Sequence, residues 1–416
     1  MAICDLRRMW TAVSLVSLLV AAPAHAISKP SVIGHSPVAV MPFKLDAGRI
    51  LVEATFGTAD GGKRRALAWF NMGMQAPIVS KSLYRELGVD HGAPLRLRIG
   101  DLTLEAASDA VVDGDGGLGA PSFAQSFGHL PVEAMLPASL FLAHRLTLDY
   151  KARLLTVEGA DGKPPTGFAV PIDVNEATGL ASIKARIDGQ DYAFVIDAGS
   201  GYSWMRGSIL AHWLVDHPEW RRAEGAMGTA NYNMLDLDFE KRGTIARVPN
   251  LSIGALELKN VAFFGSGPIL GGYIDGMVGD FFWDNWQKSA PGPVVGWLGP
   301  NVLKEFALTI DYPNHASYWR SNGVPDAHDL DSVGVTLVRR GERYFVGGLV
   351  KTSAQPPADG AAVGDELLAV DDITVRDATK DVVLSALHGR AGQIRRLTLA
   401  RDGATLQVEL PALDLH

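Results

Sequence analysis

The side chain best placed for chemistry in this 416-residue chain is a carboxylate. In Tyr192-Ala193-Phe194-Val195-Ile196-Asp197-Ala198-Gly199-Ser200-Gly201-Tyr202 an apolar run delivers Asp197 to a turn of small residues. Phe194, Val195 and Ile196 read as a buried strand, and glycine lets the backbone turn tightly after it. A carboxylate at such a place either caps a turn, which is ordinary Asp-before-Gly chemistry, or works as an acid or base beside an apolar core. Upstream, Ala68-Trp69-Phe70-Asn71-Met72-Gly73 repeats the layout, with Asn71 where the later copy has Asp197. An amide makes hydrogen bonds but does not shuttle a proton.

Other candidates carry less. Asp113-Gly114-Asp115-Gly116-Gly117 lacks the spaced ligands and terminal Glu of a calcium loop and reads as a turn or a flap. The histidines show no paired metal spacing, and Ser200-Gly201 does not fit a nucleophile elbow. No metal and no cofactor is expected. Trp283, Trp286 and Trp297 are expected in a core, with the lining of a substrate cleft as the alternative.

The elements that must position the two motifs read as β. Glycine is frequent (45 residues), and short apolar runs alternate with turns. Residues 49–56 and 65–70 form a hairpin into the Asn71 motif. A short helix follows from Ser80, its cap, to Gly88, its stop. Residues 95–99 and 102–104 form a hairpin about Gly100-Asp101, 137–144 a helix, and 145–150 a closing strand. The order then recurs: strand 181–187, the Asp197 motif, helix 208–215, a hairpin about Gly254, helix 301–305 and closing strand 307–312. Leu146-Thr147-Leu148-Asp149-Tyr150 matches Leu308-Thr309-Ile310-Asp311-Tyr312. The chain thus carries an internal duplication whose period is too long for a solenoid. The second copy is the longer, with its extra length expected in residues 265–296. Linkers are expected at Gly162-Lys163-Pro164-Pro165 and Asn322-Gly323-Val324-Pro325.

This pattern resembles the retropepsin-like and pepsin-like aspartic peptidases. Their signature is two apolar residues before Asp-Thr/Ser-Gly, then a later hydrophobic-hydrophobic-Gly segment before a short helix. Val195-Ile196-Asp197-Ala198-Gly199 supplies the first part and Trp297-Leu298-Gly299 the second, with Met277-Val278-Gly279 as a rival. The first copy offers Trp69-Phe70-Asn71-Met72-Gly73 and Met135-Leu136-Pro137. The resemblance implies an all-β fold of two related acid-protease-like β-barrel lobes, over 40–160 and 170–322. It also implies a two-carboxylate site sharing one proton around a water. Carried over, the catalytic pair is Asp197 and Asn71, with Ala198, Gly199, Ser200, Met72 and Gly73 as the active-site loops. The chain departs from the family at Asn71, and at Met72 and Ala198, where the family's hydroxyl is missing. The implied function is binding of peptide or protein segments with hydrolysis impaired. The alternative is an active aspartic endopeptidase that pairs Asp197 through a homodimer or recruits a second acid, such as Asp275 or Asp280.

Residues 333–412 resemble a PDZ domain, a small α+β unit. Val333-Gly334-Val335 matches its carboxylate-receiving loop, and Thr336 opens its edge strand. Pro357-Ala358-Asp359-Gly360 through Gly364-Asp365 to Asp371-Asp372 matches the family's turn and core strand, with Asp372 in place of the usual Gly. A helix runs from Thr379 through Leu387, and two strands close the unit about Asp402-Gly403. The resemblance assigns peptide contact to Val333, Gly334, Val335, Thr336, Val382, Val383 and Leu387. The alternative is a groove closed by packing on the lobes.

Composition sets the compartment and excludes partners. Arg7 and Arg8, the apolar run 10–22 and Ala24-His25-Ala26 have the grammar of a secretory signal over 1–26, so a periplasmic or secreted protein is expected. The one cysteine, Cys4, falls inside that segment, and no disulfide is expected in the remainder. A formal charge of -8 with no basic patch speaks against nucleic acid as partner. No later apolar run is long enough to span a membrane, and oligomeric state is left open.

Overall fold

Alternation in the sequence becomes alternation in space. Along Leu95–Ile99 the aliphatic residues point inward and Arg96 and Arg98 outward, the period-two pattern of a sheet with one wet face. The computed structural model describes residues 38–114, 122–161, 163–267, 282–323, 326–354 and 357–415. With 46% strand against 17% helix the chain is mainly β, as the short alternating runs imply. The expected signal with Cys4, the Met277-Val278-Gly279 segment, Asp275 and Asp280 lie outside the described residues, as do Asp115, Gly116, Gly117, Gly162, Val324 and Pro325.

Two sheets follow one plan. In the first, Lys63–Asn71 pairs antiparallel with Arg49–Gly57 and parallel with Val132–Pro137. In the second, Gln190–Ile196 pairs antiparallel with Ala181–Ile187 and parallel with Gly296–Leu298. Each motif-bearing strand therefore has partners on both edges, and Phe70, Phe194, Val195 and Ile196 are buried at its C-terminal end.

A third sheet of six strands joins the copies. The matched closing strands, His144–Asp149 and Phe306–Asp311, lie side by side and antiparallel, with Leu146 opposite Ile310 and Leu148 opposite Leu308. Thr147 faces Thr309 at the centre, their hydroxyls 2.8 Å apart. A local two-fold axis passes between them. Arg145 and Asp311 break the symmetry with a buried ion pair, Nε to Oδ2 at 2.6 Å.

Helix Lys81–Glu86 starts at Ser80, whose Oγ accepts from Leu83 N, and Gly88 follows it with φ at +72°. Gly207–Asp216 and Pro300–Leu303 stand where helices are expected. The helix expected over 137–144 is absent. Val132–Pro137 is a strand, and only Ala138–Phe141 makes a single 3-10 turn. Parallel pairing with Trp69 and Phe70 claims Met135 and Leu136, and it ends with Pro137 opposite Asn71. Too few residues then remain before the closing strand begins at His144.

The C-terminal unit is a sheet of Ser332–Val333, Ala404–Leu413, Ile394–Arg401, Glu366–Val370, Arg343–Leu349 and Val335–Arg340. One helix, Lys380–Leu387, packs on it, capped by the Thr379 side chain. The unit is not a separate bead. Its strand Lys351–Thr352 pairs with Arg222–Glu224 and so extends the second lobe's sheet. Val333, Val335, Val383 and Leu387 share one apolar cluster with Ala226, Met227, Ala230 and Met234 of the second lobe. Trp283, Trp286 and Trp297 form a further cluster with Leu180 and Val195, the core placement expected for them.

Candidate functional site

Each motif arrives at the end of a buried strand. The Asp197 N–H donates to the Leu298 carbonyl at 2.9 Å, and the carboxylate then folds over its own loop. Its Oδ1 accepts from Gly199 N at 2.7 Å and, across the lobe boundary, from Gly73 N at 2.9 Å. Gly73 N also donates to Asn71 Oδ1 at 2.9 Å. Positions 71 and 197 thus meet on one shared backbone donor. Space demands the glycines: a Cβ on Gly73 would overlap the Asp197 carboxylate, and one on Gly199 would overlap the Asn71 amide.

Met72 and Ala198 are buried and bring no hydroxyl to this junction. Indoles make crossing bonds there. Trp69 Nε1 donates to the Gly199 carbonyl at 3.1 Å, and Trp286 Nε1 to the Gly73 carbonyl at 2.9 Å. Ser200 Oγ donates back to the Asp197 carbonyl at 3.1 Å and holds the turn.

Burial decides the protonation of Asp197. Desolvation pushes its carboxyl up to about 6, against amide donors from Gly199, Gly73, Ser200 and Met72 that pull it down. Two facing carboxylates would split their titrations by repulsion, but Asn71 has no acidic proton to share. Tyr150 and Tyr312 follow the two closing strands at matching positions. Both are buried, and their hydroxyls have no hydrogen-bond partner among the described residues. Burial, with the Asp197 charge as a second cause, pushes both phenols upward. The repeated Asp-Tyr is their sequence signal, although hydropathy alone files them as core.

A cavity of about 230 Å3 lies over Asn71 and Asp197, and Gly73, Gly199 and Ser200 also line it. Its walls are strongly aromatic, with Trp69, Trp204, Phe239, Phe282, Trp286 and Trp297 among them. The cleft role weighed for the tryptophans therefore coexists with the core role. Arg49, Asp113, Tyr232 and Lys380 are the other ionisable side chains in the wall. Asp113 ends the short strand Val112–Asp113, which pairs with Ile78–Val79. Arg49, Tyr232 and Lys380 come from three distant segments, and no local pattern marks them.

The C-terminal candidates are placed differently. Val333, Val335, Thr336, Val383 and Leu387 are buried, and Val382 is 43% exposed. Gly334 packs against Leu413 so closely that a Cβ would strike its side chain. Thr336 Oγ1 donates to the Ala226 carbonyl at 2.7 Å, and Arg339 N to the Met234 carbonyl at 2.7 Å. The face between strand Val335–Arg340 and helix Lys380–Leu387 is thus occupied by residues 226–234 of the same chain. This is the closed arrangement.

Among the described residues no group of three or more His, Cys, Asp or Glu side chains could hold a metal ion. No described helix is long and apolar enough to cross a membrane. The sequence matches no family model and no curated protein.

Proposed function

We propose that this is an exported aspartic-peptidase-like protein of two related lobes and a PDZ-type unit, which binds peptide segments at Asn71 and Asp197 and hydrolyses them poorly. The observation that carries the reading is the Gly73 amide shared by the two side chains, one from each copy of the duplication. Two copies related by a local axis supply one polar group each to a cleft walled by aromatic side chains.

The chemistry of such a site divides between two groups. One takes a proton from water and the other gives one to the substrate carbonyl. Asp197, with its carboxyl near 6, can serve one of these tasks at neutral pH. Asn71 can orient a carbonyl through its amide and nothing more. Loss of one positioned acid or base costs roughly 10²–10⁴-fold in rate. The PDZ-type unit seals the second lobe in this reading, because its groove face is covered by residues 226–234.

Cleavage of a denatured protein from acid to neutral pH tests the proposal, with wild type, Asp197→Ala and Asn71→Asp side by side. Asn71→Asp is expected to exceed wild type by about 10²-fold or more. Strong wild-type cleavage that Asp197→Ala abolishes favours the active endopeptidase instead. No cleavage by any of the three, together with no peptide binding, removes the reading.

A further inference from the structure

Two cations stand in the wall of the cleft, and the peptidase-like reading gives neither a task. Arg49 opens the strand Arg49–Gly57, and Lys380 is the first residue of helix Lys380–Leu387 in the C-terminal unit. Each is only 2% exposed, yet both line the cavity that holds Asp197. Arg49 donates to the Asp46 carboxylate and to the Ser126 carbonyl, and its guanidinium lies 3.9 Å from the Phe127 ring centroid. Lys380 donates to the Asn233 carbonyl, one of the three bonds that an ammonium can make.

The compensating acids stand behind these cations. Asp46 and Glu240 act on Lys380, but burial and the Arg49 charge outweigh them and hold its pKa well below the ordinary value. Asp381 meets the Asp46 loop through Ala47 N. None of the three acids lines the cavity. Glu240 is itself pushed up to about 7 by burial, and its Oε2 finds no hydrogen-bond partner among the described residues. Lys380 and Arg49 therefore repel each other at a surface whose open side faces the cleft. An anion arriving from that side relieves the repulsion and meets unused ammonium donors.

The rest of the wall describes the remainder of the ligand. The aromatic lining suits an apolar body. The volume, about 230 Å3, falls just under the roughly 300–1,000 Å3 of typical small-ligand sites, which suits a short chain. Beyond Lys380 the chain's own packed segment blocks the way: Met234 is fully buried and its carbonyl is taken by Arg339 N. A ligand that reaches Lys380 has to end there.

We propose that Arg49 and Lys380 receive the free C-terminal carboxylate of a short apolar peptide bound in the cleft. The proposal rests on the peptide-binding reading of that cleft and adds where the peptide stops. It assigns the site to chain ends rather than to internal segments.

Acetylated Leu-Phe, as free acid and as amide, tests it by titration of tryptophan fluorescence, since Trp69, Trp204, Trp286 and Trp297 line the cavity. The acid is expected to bind wild type about tenfold more tightly than the amide, or better, as for a hydrogen bond to a charged group. Lys380→Met should bring that ratio near one, and Lys380→Arg should keep it, with thermal melts checking that both variants fold. Equal binding of acid and amide to wild type overturns this proposal and leaves the peptide reading standing. Binding of neither removes both. A ratio that survives in a folded Lys380→Met variant also overturns it.

Discussion

Asp197 shows what a single buried carboxyl costs a fold. Its ordinary value is 3.8, and in the fold it titrates at about 6. Below the first value both states are protonated and no penalty exists. As pH rises through 6 the folded state has to hold a buried charge, and stability falls. The difference amounts to about 3 kcal/mol at neutral pH. Asp197→Asn keeps an acceptor for Gly199 and Gly73. It is expected to raise the urea midpoint at pH 7 and to leave it unchanged near pH 3.5. An equal gain at both pH values would mean that burial of charge is not the cause. The meeting of Asp197 with Asn71 was legible because a local motif repeats. The crossing bonds from Trp69 and Trp286 were not, because the reach of an indole N–H depends on how distant segments pack.

At the scale of elements, the two closing strands carry the joint between lobes. Their matching sequences predicted equivalence, and the structure adds that they pair with each other. Arg145 and Asp311 sit on that joint with almost no exposed surface. Breaking one side of a buried ion pair leaves an uncompensated charge and typically costs about 3–5 kcal/mol. Asp311→Ala is therefore expected to lower stability by that amount in denaturant melts, although the Ala160 and Lys163 carbonyls still accept from Arg145. A loss under about 1 kcal/mol would show that the guanidinium is already neutralised by those carbonyls and by solvent. Hairpins and capped helices were read well because their turn residues act locally. The segment 137–144 was misread because its fate is set by Trp69 and Phe70, far upstream in the chain.

At the scale of the molecule, the C-terminal unit looks separable in sequence and is not. Ala226, Met227, Ala230 and Met234 form an unremarkable small apolar loop on their own. Their partners, Val333, Val335, Val383 and Leu387, lie far downstream, so no local pattern shows that one core contains both. Removing residues 333–415 is expected to bare this half-core, with low soluble yield and strong binding of a hydrophobic dye to what survives. A truncated chain that keeps the full-length urea midpoint would show the unit to be independent. The expected break at 322–325 is thus a change of sheet within a continuous interior, whatever the composition around Asn322-Gly323 suggests.

The contact between Thr147 and Thr309 bears on how the two halves came to differ. A lone half would end in an unpaired edge whose rungs suit a second copy of itself, and a homodimer about the same axis would satisfy them. In such a dimer any change at the motif strikes both subunits at once. Tethering the copies in one chain makes the encounter intramolecular, with an effective concentration that no longer depends on supply. It also frees each copy to drift alone. Asn71 opposite Asp197 is a state that only the tethered form can reach.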